Sequence, residues 1–252
     1  MLLLPALTAA LFGAILGSFI NALTFRFNTG RGMNGRSRCM QCGHILGALD
    51  LIPILSFLLL KGRCRYCHAK ISFQYPVVEL AAALLSLLAY ATYPEIAEYA
   101  LWLVVLMTLL FVVVYDIRHG IIPWSASLLL VGLALLHLFF FNEPTLWSLL
   151  AGPLLALPLF LFSLVSGGRW MGWGDSVLEL SLGWFLGLSV GATGLVLAFW
   201  SGAVVGIALI LLAKRYTMKS ELPFAPFLVL GALAAHFFHV DFFATLPLLF
   251  AL

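Results

Sequence analysis

Residues 99–123 read YALWLVVLMTLLFVVVYDIRHGIIP, an apolar run that ends on Asp116, Arg118 and His119. An apolar helix of roughly 20 residues is long enough to cross the hydrocarbon core of a bilayer. The whole chain has the same character: of its 252 residues, 63% are hydrophobic and only 9% charged, and the mean hydropathy is +1.12. So few charges cannot cover a soluble protein of 27.6 kDa. The sequence therefore predicts an all-α integral membrane protein.

Similar runs recur along the chain and predict a bundle of about eight transmembrane helices. The predicted spans are residues 2–25, 75–93, 99–115, 121–141, 146–165, 175–189, 191–213 and 225 to about 252. Hydropathy leaves the sixth undecided, since it is short and contains Glu179. With this span included, all 13 Lys and Arg residues fall on one side of the membrane. Because positive residues favour the cytosolic side, we expect eight spans, an external N-terminus and a large cytosolic loop after the first span.

This loop contains all four cysteines of the chain, which form two Cys-x-x-Cys pairs, Cys39/Cys42 and Cys64/Cys67. Two residues between thiolates let a tight turn direct both sulfurs at one ion, and two such turns complete the four-sulfur shell that zinc prefers. A redox pair is the alternative. The pattern favours a structural zinc site, because four sulfurs leave no open position on the metal for catalysis.

The cysteine pairs define the predicted domains. These are a first transmembrane helix at residues 1–25, a cytosolic zinc-knuckle loop domain at 26–74 and a transmembrane aspartyl protease bundle at 75–252. His44 and His68 are alternative ligands of the zinc ion, although the pattern favours ordinary loop residues at both positions. The run at residues 51–60 is too short to span, and it suits a core or interfacial helix.

Two aspartates are predicted to lie at the cytosolic boundary. Asp116 ends the third span, and Asp175 begins the sixth within Met171-Gly172-Trp173-Gly174-Asp175. The third span runs inward and the sixth outward, so both carboxyl groups are expected at the same membrane depth. Two carboxyls that share a site cannot both ionise easily, and one keeps a proton while the other stays charged. Such a pair can activate water and polarise a peptide carbonyl, as an aspartic protease does.

With these features, the chain resembles the type IV prepilin peptidases, a family of bacterial membrane aspartic proteases. The resemblance covers nearly the whole chain and rests on several motifs taken together. These are GSFIN at 17–21, the two cysteine pairs, YPVVEL at 75–80, DIRHGIIP at 116–123, GWGD at 172–175 and LPFAPFL at 222–228.

The resemblance implies an activity and a location. Family members cleave the short basic leader of prepilins or pseudopilins of type IV pilus and type II secretion systems, and bifunctional members then methylate the new N-terminus from S-adenosylmethionine. The resemblance implies that Asp116 and Asp175 are the catalytic residues. It also implies that the protein lies in the bacterial inner membrane, with the active site and the zinc loop facing the cytosol. Partners would be the prepilin substrates and the lipid bilayer, and no nucleic acid is expected.

The chain departs from the family pattern next to the second aspartate. The family usually has a lysine two positions after it, where this chain has Val177, while Glu179 lies one turn after Asp175. Glu179 is expected either to pair with a cation or to stay protonated, and a shifted substrate preference is a third possibility.

Other readings stay open at this stage. Glu79 is a candidate for binding the substrate amine or the methyl donor, although a carboxylate near a helix start is also favourable on electrostatic grounds alone. The alternative function is a polytopic transporter or proton-coupled channel, in which the paired aspartates act as proton relays. A relay would need further ionisable groups along the third and sixth spans, and apart from Glu179 the sequence shows no further charged side chain there.

Overall fold

A computed structural model describes residues 3–28, 35–142, 144–212, 217 and 220–244 of the chain. The helices are α1 (Leu3–Arg26), α2 (Leu55–Leu59), α3 (Gln74–Thr92), α4 (Ile96–His119), α5 (Trp124–Phe140), α6 (Leu146–Ser166), α7 (Trp173–Leu212) and α8 (Ala225–Phe237), with a 3-10 turn at Ala48–Asp50. Several charges behind the predicted orientation lie outside the described residues, namely Arg31, Glu143, Lys214, Arg215 and Lys219.

Long apolar helices dominate the described residues. Five of them, α1, α3, α4, α6 and α7, are long and apolar enough to cross a membrane, whereas α5 and α8 are shorter apolar helices. The chain is therefore a multi-pass membrane protein. It divides into two compact units, residues 1–114 and 115–252.

The 40-residue α7 is two helices joined at Gly187, where φ is 76° and ψ is 175°. This conformation is essentially confined to glycine. A Cβ built on Gly191 would lie 3.7 Å from the Cα of Gly183, whereas residues eight apart in one straight helix are about 12 Å apart. The chain therefore reverses at Gly187. The prediction of a short sixth span and a separate seventh is confirmed, and the described residues contain eight apolar helical segments besides α2.

In the first unit, α1 packs on α3 through polar contacts as well as apolar ones. The Asn21 side-chain amide donates to the Tyr75 carbonyl (3.2 Å) and accepts from Gln74 (3.3 Å). The Ser86 hydroxyl donates to the carbonyl of Ala9 (2.7 Å). Such bonds hold helices together where no water competes for the polar groups.

In the second unit, α7 packs against α5, α6 and α8. The last helix ends earlier than predicted, at Phe237, and not near residue 252. The reason lies in Asp241, whose carboxylate accepts from the Ser189 hydroxyl at 2.7 and 2.8 Å, just after the Gly187 reversal. The chain must leave the helix for Asp241 to reach this turn. Residues 245–252 of the predicted span lie outside the described residues.

The contact between α7 and α8 depends on Gly231, and we expect Gly231→Ala to destabilise the protein by about 3 kcal/mol or more. A Cβ there would meet the backbone carbonyl oxygen of Gly194 and lie 2.8 Å from the nitrogen of Ala198. Backbone cannot move aside as a flexible side chain can. The matched control is Gly132→Ala in α5, where a Cβ meets nothing within 4 Å. Thermal unfolding in detergent should show a lower Tm for Gly231→Ala alone; equal Tm values would contradict this packing.

Candidate active site and metal centre

The four cysteines of the loop come together in the structure. Their Sγ atoms all lie within 4.8 Å of one another, and the sulfurs of Cys39 and Cys67 are 3.8 Å apart. At a Zn–S bond length of about 2.3 Å, the sulfurs of a tetrahedral site are separated by about 3.8 Å. The cluster therefore has the ligand number, chemistry and spacing of a site that could hold a metal ion. It is the only such group among the described residues.

Each cysteine pair lies in a turn of the same design. The amide of Gly43 donates to the Cys39 carbonyl (2.9 Å), and the amide of His68 donates to the Cys64 carbonyl (3.0 Å). Gly43 and His68 both adopt positive φ, of 70° and 57°. The backbone N–H of Cys42 lowers the pKa of the Cys39 thiol to about 7, whereas the pKa of Cys67 is raised to about 11 by burial and by the neighbouring cysteines, despite the backbone hydrogen bond of Ala69. A metal ion would bind the thiolate form of each cysteine.

Neighbouring side chains connect the two knuckles. Asp50 accepts a hydrogen bond from Arg65 Nε (2.6 Å) and another from the Tyr66 hydroxyl (3.4 Å). The Arg65 guanidinium holds the pKa of the Asp50 carboxyl below its usual value. The ring of His44 stacks on Tyr66 with centroids 3.6 Å apart, and it is not among the residues of the cluster.

Asp116 lies in the last turn of α4 and is buried, with 4% of its surface exposed. Its Oδ2 accepts a hydrogen bond from the backbone N–H of Ala225, the first residue of α8, at 3.2 Å. The free N–H groups of a helix N-terminus favour a negative charge at this position. Sequence reasoning missed this contact. The signal that could have suggested it was Pro226, since proline near a helix start fixes where the helix begins.

Asp175 lies in the first turn of α7 and is also buried, at 7% exposed. Its Oδ2 accepts from the backbone N–H of Gly172 at 3.1 Å. A Cβ on Gly174 would lie 2.7 Å from Cβ of Ile122, so only glycine allows the chain to pass Ile122 this closely. The Ser163 hydroxyl is 3.0 Å from the Met171 carbonyl and fixes the same turn.

The two aspartates lie in the same compact unit. Two buried carboxyl groups that are 59 positions apart in the sequence thus belong to the same unit. Both are buried and each accepts one backbone hydrogen bond. Chemically, such a pair can hold one proton between them.

Glu179 lies one turn after Asp175, with only 2% of its surface exposed. No cation among the described residues is seen to form an ion pair with Glu179; the pair that is seen joins Arg65 and Asp50. A buried carboxyl without a counter-ion keeps its proton. The neighbouring Ser176 hydroxyl is buried and finds no hydrogen-bond partner.

Glu79 is buried in the first unit, in the second turn of α3, with 6% exposure. Its Oε2 accepts a hydrogen bond from the backbone N–H of Ile54 at 2.7 Å, and the Ser18 hydroxyl also donates to it. This carboxylate therefore connects α1, α3 and the cysteine-bearing loop.

Comparison with known proteins agrees with these observations. Residues 11–93 match the family model of the bacterial peptidase A24 N-terminal domain. The chain is 37% identical over 206 residues to a prepilin leader peptidase/N-methyltransferase of Aeromonas salmonicida (strain A449), covering 78% of this chain and 69% of that protein. The protein of the same name from Burkholderia pseudomallei (strain K96243) is 32% identical over 216 residues, which cover 84% and 70% of the two chains.

A third relative of that name, from Aeromonas hydrophila, is 38% identical over 206 residues, or 78% of this chain and 69% of its own. No solved structure matches the chain significantly. Identity at this level over most of both chains establishes the relationship. The chain belongs to the prepilin leader peptidase/N-methyltransferase family of bacterial membrane proteins.

Proposed function

We propose that this protein cleaves the short basic leader from type IV prepilins or pseudopilins, with Asp116 and Asp175 as the catalytic pair, and then methylates the new N-terminus. The observation that carries the peptidase part is the burial of two carboxyls in the same compact unit. The names of the relatives support both activities, and they favour an enzyme over the proton-relay alternative.

In the proposed cleavage, the ionised carboxyl takes a proton from a water molecule. At the same time, the oxygen of this water attacks the scissile carbonyl carbon. The protonated carboxyl gives its proton to the carbonyl oxygen, which forms a neutral tetrahedral intermediate. When the C–N bond breaks, a proton passes to the departing amine and the carbonyl re-forms. The pair again holds one proton, so no metal and no nucleophilic side chain is needed. Burial of both groups favours this split of protonation states.

We further propose that zinc occupies the four-cysteine cluster as a structural ion. The support is the tetrahedral sulfur spacing described above. Zinc would supply four bonds that hold the two knuckles of the loop together, a role separate from peptide cleavage.

The proposed location is the bacterial inner membrane, with the cysteine loop and both aspartates on the cytosolic side. The grouping of Lys and Arg residues in the loops on one side of the predicted bundle supports this orientation.

Reconstitution tests the function directly. The purified full chain in phospholipid vesicles is incubated with a prepilin and S-adenosylmethionine, and the intact mass of the pilin is followed. We expect loss of the leader and then the addition of one methyl group at the new N-terminus. An unchanged prepilin would refute the peptidase, and a shortened but unmethylated pilin would refute the methyltransferase.

A further inference from the structure

The short helix α2, in the cysteine-bearing loop, has an exposed face that is apolar. Leu55, Leu58 and Leu59 are all exposed, and their spacing of three and four residues places them on one side of the helix. The polar Ser56 and the ring of Phe57 are half-buried instead. A helix at the surface of a soluble protein normally shows the opposite pattern, with its apolar residues turned inward. This face is therefore built for surroundings other than water.

The stretch that leads into α2 exposes apolar side chains as well. Leu49, Leu51 and Ile52 are all exposed, so six of the eleven residues at 49–59 present a large apolar side chain at the surface. We call residues 49–59 the apolar segment. Exposed apolar residues that lie this close together mark contact with a membrane or with another protein.

The apolar segment is held at the level where α3 is predicted to enter the membrane. Glu79, in the second turn of α3 and within the predicted span of residues 75–93, accepts a hydrogen bond from the N–H of Ile54 at 2.7 Å. The ring of Phe57 contacts that of Phe73, just before α3, with centroids 5.3 Å apart. Because α2 lies beside the first turns of a spanning helix, its exposed leucines lie at the boundary between hydrocarbon and headgroups.

The loop around the apolar segment is strongly basic. Residues 26–74 contain eight Lys and Arg residues but one acid, Asp50, which is already in an ion pair. Lys61 and Arg63 are exposed and follow the end of α2 within four residues. Arg63 also forms an antiparallel bridge with Lys70, which places two positive residues opposite each other. Like charges in this arrangement are destabilising, and an anion beside them removes the cost.

A cavity of about 370 Å³ lies between the second half of α1 and this loop. Arg26 is the charged residue of its described lining, which contains no acid, and Leu51 and Pro53 of the apolar segment form another part of the wall. Ile15 and Phe19 line the cavity about 16 and 10 Å before Arg26 along α1, and both are exposed. The cavity thus has an apolar end within the predicted span and a guanidinium at the loop end, which matches an acyl chain with an anionic headgroup.

We infer that the cysteine-bearing loop lies on the membrane surface and binds anionic phospholipids there. The apolar segment lies among the acyl chains, Lys61 and Arg63 lie at the phosphate groups, and the cavity holds one headgroup at Arg26. Exposed leucines and a cluster of cations at the end of a spanning helix need a partner that offers hydrocarbon and negative charge together, and an anionic leaflet offers both. The leader of the proposed substrate is itself basic, so it does not fit this surface. Lipid binding of this kind requires neither of the proposed activities.

Photo-crosslinking of the full chain in phosphatidylcholine nanodiscs tests the inference. A trace of phosphatidylglycerol or of phosphatidylcholine carries a diazirine in its acyl chain, and mass spectrometry locates the label. We expect both lipids to label residues 49–59, with a yield at least about tenfold higher for phosphatidylglycerol, because each Lys or Arg near the surface favours an anionic lipid about fivefold. The internal control is α6, whose residues carry no charge and which both lipids should label equally. Added salt should lower the ratio of the two yields at residues 49–59.

Charge variants separate recognition of the anion from burial of the leucines. Arg26→Gln is expected to lower the ratio about fivefold, and Lys61→Gln/Arg63→Gln at least about tenfold. The matched controls Arg26→Lys and Lys61→Arg/Arg63→Lys keep the charge and should keep the ratio. Thermal unfolding checks that each variant folds, and the salt dependence gives the same test in the wild type.

Three results would overturn the inference. An apolar segment that neither lipid labels in the wild type would show that it lies outside the membrane, as expected if a protein partner covers it. Equal yields of the two lipids at residues 49–59 in the wild type would show that the loop does not select anionic lipids. A ratio that stays unchanged in the glutamine variants and in added salt would show that these cations do not bind the headgroups.

Discussion

Replacing Asp116 or Asp175 by Asn is expected to lower the rate of leader cleavage by about 10²- to 10⁴-fold, the range lost when a general acid or base is removed. Asn keeps the size of the side chain and can still accept the hydrogen bond from Ala225 or Gly172. It can neither take a proton from water nor give one to a carbonyl. Initial rates on a purified prepilin in vesicles measure the effect.

The control for these variants is Glu221→Gln. It neutralises an exposed carboxylate in the same unit, four positions before Ala225, and it should cleave at the wild-type rate. Each variant should also keep the wild-type Tm. Near-normal cleavage by either Asn variant would remove that aspartate from the mechanism.

The second large effect concerns the metal. We expect about one zinc per chain in the purified protein, and Cys39→Ser or Cys64→Ser should lose it, because three thiolates bind zinc far more weakly than a closed shell of four. Apparent zinc-binding free energies of comparable sites in small peptides are about 10–16 kcal/mol. Loss of the ion should therefore unfold the knuckles. Elemental analysis measures the zinc, and hydrogen exchange of residues 37–70 measures the unfolding.

Histidine variants provide the control for the metal experiment. His44 stacks on Tyr66, and His68 occupies the positive-φ position of its turn. His44→Ala and His68→Ala should therefore both retain zinc. Zinc loss in either histidine variant, or metal-free wild-type protein from zinc-supplied cells, would contradict a four-cysteine site.

Much of the bundle could be predicted from the sequence. The length of the apolar segments and the positions of the charged residues indicate where the chain crosses the membrane, and neither depends on how the side chains pack. The reversal before Ser189 is the clearest case. Hydropathy left the short sixth span undecided, but the positions of the cations required the chain to turn back, and Gly187 provides the backbone conformation for it. The end of α8 was predicted too far along, because hydropathy cannot detect that Asp241 must reach the Ser189 hydroxyl.

The candidate site was predictable only in part, for a similar reason. The prediction that two Cys-x-x-Cys pairs bring four sulfurs into one cluster is confirmed, whereas the pairing of Asp116 with Asp175 at a matched membrane depth stays a prediction. The backbone donors were not predictable. The N–H of Ala225 near Asp116, and the N–H of Ile54 bound to Glu79, depend on how distant segments pack, and no local pattern encodes them.

The cleavage rate of the double variant Asp116→Asn/Asp175→Asn, set beside the two single variants, tests most directly whether the carboxyls work as one unit. Groups that share one catalytic task are strongly non-additive, so removing the second costs little once the first is gone. We predict a double-variant rate within about threefold of the slower single variant. A rate lowered by the product of the two single losses would show that the aspartates act separately and would contradict the shared-proton mechanism.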